Sequence, residues 1–272
     1  MPFSAPSWYA GRLWLLRLGY YKLMREKKHA EDWIWIVDHT VQLSADKCLV
    51  ILGIRQSSLP LPGNCLSHEH VEPITLVPVT QSNGEIVYQQ LEDAVEKTGV
   101  PREIIGDHGT DLRYGIDKFC QEHPGTCYIY DIEHKTAAVL KHELEDDLAW
   151  KEFTRLTAQT KSRVQQTSLA FLAPPNQRTK ARYMNVDILI QWGRNALSFI
   201  ERQKQEASDI YDQQYVEEKL GWITQFSEHI AQWEEVLQVI ITTEKFVRKQ
   251  GLSHGCHLEL KERLAPMVQT ER

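Results

Sequence analysis

Two apolar runs of strand-forming residues each end on an aspartate: Trp33-Ile34-Trp35-Ile36-Val37-Asp38 and Glu103-Ile104-Ile105-Gly106-Asp107-His108-Gly109. A carboxylate at the exit of a buried strand adds little to packing but is well placed to hold a metal ion. If the two strands lie parallel and adjacent, Asp38 and Asp107 emerge together at one sheet edge. Paired carboxylates there suit Mg²⁺ or Mn²⁺, hard ions that prefer oxygen ligands. Two such ions about 4 Å apart activate a hydroxyl or water and stabilise the leaving oxygen of a phosphodiester. Either aspartate alone also reads as a turn residue. The pair is the signal, and Gly109 permits a tight exit after the second acid.

Further groups cluster around this expected centre. Asp131 ends a third apolar run, Thr126-Cys127-Tyr128-Ile129-Tyr130, and reads either as a helix N-cap or as a metal ligand. Glu143 is the candidate third catalytic acid. Its neighbours Glu145, Asp146 and Asp147 equally suggest a solvated acidic face. His134 and Lys135 follow Asp131 and read as DNA contacts, since no second soft ligand near His134 suggests zinc. Arg178, Lys180, Arg182 and Tyr183 form a basic patch able to grip phosphates with a stacking ring, or a plain solvated loop.

The elements that must position these groups alternate in a definite order. Residues 8–25 show helical spacing, with Leu13, Leu16, Tyr20 and Leu23 apolar. The first strand is followed, after the Ser44-Ala45-Asp46 turn, by Lys47–Ile54, which predicts an antiparallel hairpin. Pro73–Val79 carries prolines, as an edge strand does. Ser82-Asn83-Gly84-Glu85 has the form of a capping box before a helix ending near Gly99. A helix follows Asp107, and another runs from about Lys135 to Trp150. The order is β-β-β-α-β-α-β-α, an α/β mixed sheet followed by an all-helical region. There Val216, Leu220, Ile223, Phe226, Ile230, Trp233, Leu237 and Ile240 predict one long helix whose stripe serves as core or as a homodimer seam.

Bulk properties bound the partners. The chain has 272 residues, 42% hydrophobic and 25% charged, the composition of a globular protein. No apolar run reaches the roughly 20 residues of a membrane span, and no secretory leader is evident, so a cytoplasmic location without membrane partners is expected. Five cysteines without a C-x-x-C pair argue against a disulfide framework or zinc site, and Cys48, Cys120 and Cys127 read as core residues. The net charge of −6 counts against a protein whose main task is gripping nucleic acid. It leaves a nuclease-like core open.

In Trp33–Thr40, Lys47–Ile54, Ile104–Leu112 and Tyr128–Lys135 the sequence resembles DDE transposases of bacterial insertion sequences, and Asp107-His108-Gly109 is similar to the Asp-Asn-Gly at the second acid of integrase cores. The resemblance implies a ribonuclease-H-like fold with Asp38 and Asp107 as catalytic metal ligands. It also implies Mg²⁺-dependent cleavage and strand transfer on double-stranded DNA, with no small-molecule cofactor. It divides the chain into an N-terminal helix and linker (1–31), a catalytic-type core (32–150), a helical insertion or C-terminal helical region (151–250) and a polar tail (251–272). If 151–250 is the insertion some members carry, a third acid would lie beyond Arg272 and the chain would be an inactive copy truncated at both ends. A non-catalytic DNA- or protein-binding remnant and a ribonuclease-H-type nuclease are the alternatives.

Overall fold

The computed structural model describes residues 5–43, 46–60, 66–177, 186–206 and 211–267. The chain divides into two compact units, Met1–Asp131 and Ile132–Arg272.

The first unit is built on a five-stranded sheet in the order β3-β2-β1-β4-β5. Its strands are β1 (Trp33–Leu43), β2 (Asp46–Arg55), β3 (Glu72–Val79), β4 (Glu103–Gly106) and β5 (Cys127–Tyr130). The short link between β1 and β2 gives an antiparallel pair, and β3 adds antiparallel to β2. β4 and β5 run parallel to β1, because each is reached through a helical crossover. These crossovers are α2 (Gly84–Thr98) and α3 (Thr110–Glu122). The result is the mixed ribonuclease-H-like sheet that the element order predicts, with proline-bearing β3 at one edge.

Side-chain alternation decides which face the helices cover. Trp33, Trp35 and Val37 of β1 are buried with Leu49, Ile51, Ile74 and Ile104 against Val87, Leu91 and Ala94 of α2 and Leu112, Ile116 and Phe119 of α3. The alternate residues Ile34 and Ile36 are only half-buried. Two glycines let the helices meet closely: a Cβ on Gly115 would lie 2.6 Å from Val87 Cγ1 and 2.8 Å from the Gly84 carbonyl oxygen. α2 ends at Gly99, whose φ of +84° is a left-handed value that glycine adopts without penalty.

Several local expectations are corrected. The cap of α2 is Asn83, whose Oδ1 accepts from the Ile86 amide at 2.9 Å, so Ser82 stands one residue outside the cap. Cys48 is buried as expected, but Cys127 is exposed on the edge strand. The N-terminal helix α1 (Trp8–Met24) exists but buries none of its residues. Its apolar side chains circle the helix rather than forming one stripe.

The second unit is helical: α4 (Ile132–Leu144), α5 (Leu148–Val164), α6 (Val186–Glu206), α7 (Gln213–Leu220), α8 (Ser227–Gln250) and α9 (Cys256–Leu264). Its core joins Trp150, Phe153, Ile190, Ile200, Ile223, Phe226 and Trp233. The expected helix over 216–240 is two helices, with a 3-10 segment, Gly221–Phe226, between α7 and α8. The helix expected to run to Trp150 likewise stops at Leu144. Asp147 then caps α5, with Oδ1 accepting from Ala149 and Trp150 amides and Oδ2 from the Trp233 indole at 2.9 Å. Asp147 is therefore no part of a solvated face, whereas Glu143, Glu145 and Asp146 are exposed.

Candidate metal centre

The register across the middle of the sheet determines where the aspartates emerge. Val37 pairs with Gly106 and Gly106 with Tyr130, so Asp38, Asp107 and Asp131 each stand one residue beyond a single paired row. The Asp131 amide still donates to the Gly106 carbonyl at 3.0 Å, which carries the β4–β5 ladder to the third acid. Val37 and Gly106 face the helices, since a Cβ at 106 would meet Ile116 Cδ1 at 3.3 Å. By alternation, Asp38 and Asp107 continue the opposite face, in line with the paired Ile36 and Ile105. Adjacent strands lie about 4.8 Å apart, a spacing that lets neighbouring carboxylates share a cation.

Asp107 is held more firmly than a loop residue would be. Its Oδ1 accepts from the Gly109 amide at 2.9 Å, and the Tyr128 hydroxyl donates to its main-chain carbonyl at 2.6 Å. Burial, reinforced by the Asp107 charge, pushes the Tyr128 hydroxyl above its ordinary range, so this donor keeps its proton. Tyr130 stacks on His108 at 3.8 Å between ring centroids. Burial and the charges of Asp107 and Asp131 together raise its hydroxyl too, so one side chain senses both carboxylates.

β1 does not end at Asp38, as the apolar run suggests, but continues to Leu43 paired with β2, and a second polar group lies on this continuation. His39, next to Asp38, has Nε2 3.1 Å from Ser82 Oγ and Nδ1 3.7 Å from Asp111 Oδ2. Lys47 Nζ is also 3.7 Å from that oxygen. Partial burial works to raise the Asp111 carboxyl, but the Ser82 hydroxyl, His39 and the amides of Asp111 and Leu112 outweigh it and hold it below its usual range. Sequence reasoning assigned no role to His39 or Asp111, and read Ser82 only as part of a capping box. The available signal was the second acid of Asp107-His108-Gly109-Thr110-Asp111, one helical turn past the first.

Glu143 is exposed on α4 in the second unit, with His134 and Lys135 on the same helix. Arg178, Lys180, Arg182 and Tyr183 lie outside the described residues. Among the described residues, no three or more His, Cys, Asp or Glu side chains converge closely enough to hold a metal ion. The donors at the sheet edge are nonetheless all aspartate oxygens, the chemistry that fits Mg²⁺ or Mn²⁺. No described helix is long and apolar enough to cross a membrane.

No family model and no curated protein matches the chain. Among solved structures, the Drosophila P element transposase strand transfer complex aligns over 97% of this chain and 67% of that one, at 13% identity and a TM-score of 0.39. The HTLV-2 integrase catalytic core domain in complex with magnesium, in its dimeric form, aligns over 46% of this chain and 82% of its own, at 12% identity and a TM-score of 0.26. A likeness of this size carries no argument about activity.

Proposed function

We propose that this chain is a divalent-metal-dependent polynucleotidyl transferase core of the DDE transposase kind, acting on double-stranded DNA. The observation that carries the proposal is the parallel pairing of β1 with β4, which ends at Val37 and Gly106 and so makes Asp38 and Asp107 the next residues along adjacent strands. Asp38 and Asp107 would hold Mg²⁺ or Mn²⁺, with Asp131 supplying a third carboxylate from the same unit. The bound ion would supply Lewis-acid activation of the attacking oxygen and stabilisation of the leaving one. The chain's own part is orientation: the Gly109 amide fixes the Asp107 carboxylate, and Tyr128 fixes the backbone from which it projects. His134, Lys135, Arg178, Lys180 and Arg182 are the proposed DNA contacts, which offset the overall negative charge locally.

The test is nicking and strand transfer on duplex DNA carrying the element's own ends, with Mg²⁺ or Mn²⁺. Activity present in the wild type and absent in both Asp38→Ala and Asp107→Ala supports the assignment. Activity that survives both substitutions refutes it. Divalent binding with no cleavage of any duplex would instead favour a non-catalytic remnant, and cleavage without element ends a general nuclease.

A further inference from the structure

Asp111 belongs to the first turn of α3, yet its carboxylate faces His39 and Lys47, and His39 in turn reaches Ser82, so the network draws on three other places in the first unit. His39 comes from β1, Lys47 from β2, and Ser82 from the link between β3 and α2. Both aspartates of the candidate metal pair are one step from this knot. His39 directly follows Asp38 in the chain, and Asp111 lies one helical turn after Asp107. The side chains of His39 and Asp111 are 15% and 21% exposed, so water competes with the network less than with a surface ion pair.

The sequence of groups Ser82–His39–Asp111 invites comparison with a nucleophilic triad. The geometry argues against that use. His39 Nδ1 at 3.7 Å from Asp111 is beyond hydrogen-bond length, so no hydrogen bond orients the ring to take a proton from Ser82. Ser82 anchors the other ring nitrogen of His39 and is not a poised nucleophile. What the arrangement does well is tie the stretch of β1 next to Asp38 to the start of α3.

We propose that Asp111 is a positioning residue: through His39, Ser82 and Lys47 it fixes the separation of the Asp38 and Asp107 carboxylates, and so sets the affinity of the site for divalent ions. This rests on the proposed metal centre for its consequence, but the mechanical link is independent of any ion. Asn at position 111 keeps the shape and the acceptor for the Leu112 amide but removes the charge that His39 and Lys47 face, whereas Ala removes both.

The test compares the full-length wild type, Asp111→Ala, Asp111→Asn and Asp38→Ala. Amide hydrogen exchange is read without metal, and Mn²⁺ binding by electron paramagnetic resonance. In Asp111→Ala, exchange should quicken about tenfold at both 36–40 and 105–112 while β2–β3 pairing stays protected. Mn²⁺ affinity should fall about tenfold, the usual scale for loss of a group that orients a ligand. Asp111→Asn, which keeps the shape and loses only the charge, should show the same two losses, and protection retained in β2–β3 separates them from a general loss of stability. Unchanged exchange at these two stretches in Asp111→Ala overturns the inference, whatever the metal does. Faster exchange in Asp111→Ala, beside a wild type that binds no Mn²⁺, would leave the link standing and remove both the metal centre and its proposed tuning.

Discussion

Replacing Tyr128 by phenylalanine isolates one contact on which the geometry of Asp107 depends. The substitution removes only the hydroxyl that donates to the Asp107 carbonyl at 2.6 Å. The ring keeps its place against the core beneath Gly106. A hydrogen bond of this kind contributes about 1 kcal/mol net, rising toward 3 kcal/mol if the acceptor is stranded away from water. Asp107 is half-buried at the end of its strand, where water reaches the freed carbonyl, so the lower figure applies. In a chain of this size that corresponds to a Tm loss of about 2–4 °C. If the same contact holds Asp107 ready for a cation, Mn²⁺ affinity falls by up to the same free energy, about fivefold. Because burial and the Asp107 charge keep the phenol protonated, both effects should be constant from pH 6 to about 9. Isothermal titration with Mn²⁺ and urea denaturation of the two proteins provide the measurement. A loss of stability with unchanged Mn²⁺ affinity would refute the link between Tyr128 and the metal pair, and no change in either would show that the hydrogen bond contributes nothing.

Other substitutions probe the supporting structure. Burial raises the Glu103 carboxyl, only partly offset by Arg102; its protonated form favours the fold, so stability drops as pH rises from the ordinary glutamate range through the raised value. Glu103→Gln should melt higher than wild type at pH 7, and the gain should vanish near pH 4; a lower melting point at pH 7 would contradict this. Asp32 behaves oppositely: hydrogen bonds from Ser57, with help from Arg55 and against some burial, hold it down to about 2. Its contribution is complete above the ordinary aspartate range and lost as pH falls toward 2, so acid titration of Asp32→Asn should give a flatter stability curve between about pH 4 and 2. Gly115→Ala forces a Cβ to within 2.8 Å of the Gly84 carbonyl. Overpacking of about 1–3 kcal/mol, less roughly 1 kcal/mol of recovered helix propensity, predicts net destabilisation in urea melts; a stabilised variant would mean that the two helices are not so tightly apposed.

Much of the first unit was legible because its determinants are local. Trp33, Trp35 and Val37 alternate on a strand too apolar to be exposed, and the links between elements dictate antiparallel pairing first and parallel pairing after α2 and α3. Asp38 and Asp107 could be placed together because register follows from those links. The second unit was harder to read. Leu220, Ile223 and Phe226 recur every three residues, the period of a 3-10 segment, before Ile230, Trp233, Leu237 and Ile240 resume α-helical spacing. A continuous stripe hid that change of period. The Asp111 network was not legible, because it joins four separate stretches whose meeting depends on how α3 packs on the sheet. α1 defeats pattern reasoning for another reason: its apolar residues lie all around it, so spacing specifies no buried face.

The most direct measurement is a crystal of the full chain soaked in Mn²⁺, with anomalous scattering recorded at the manganese edge. The account predicts a peak beyond the Val37–Gly106 row, with oxygens of Asp38 and Asp107 both within about 2.3 Å of the ion. Strong anomalous peaks elsewhere and none between those two carboxylates would contradict it.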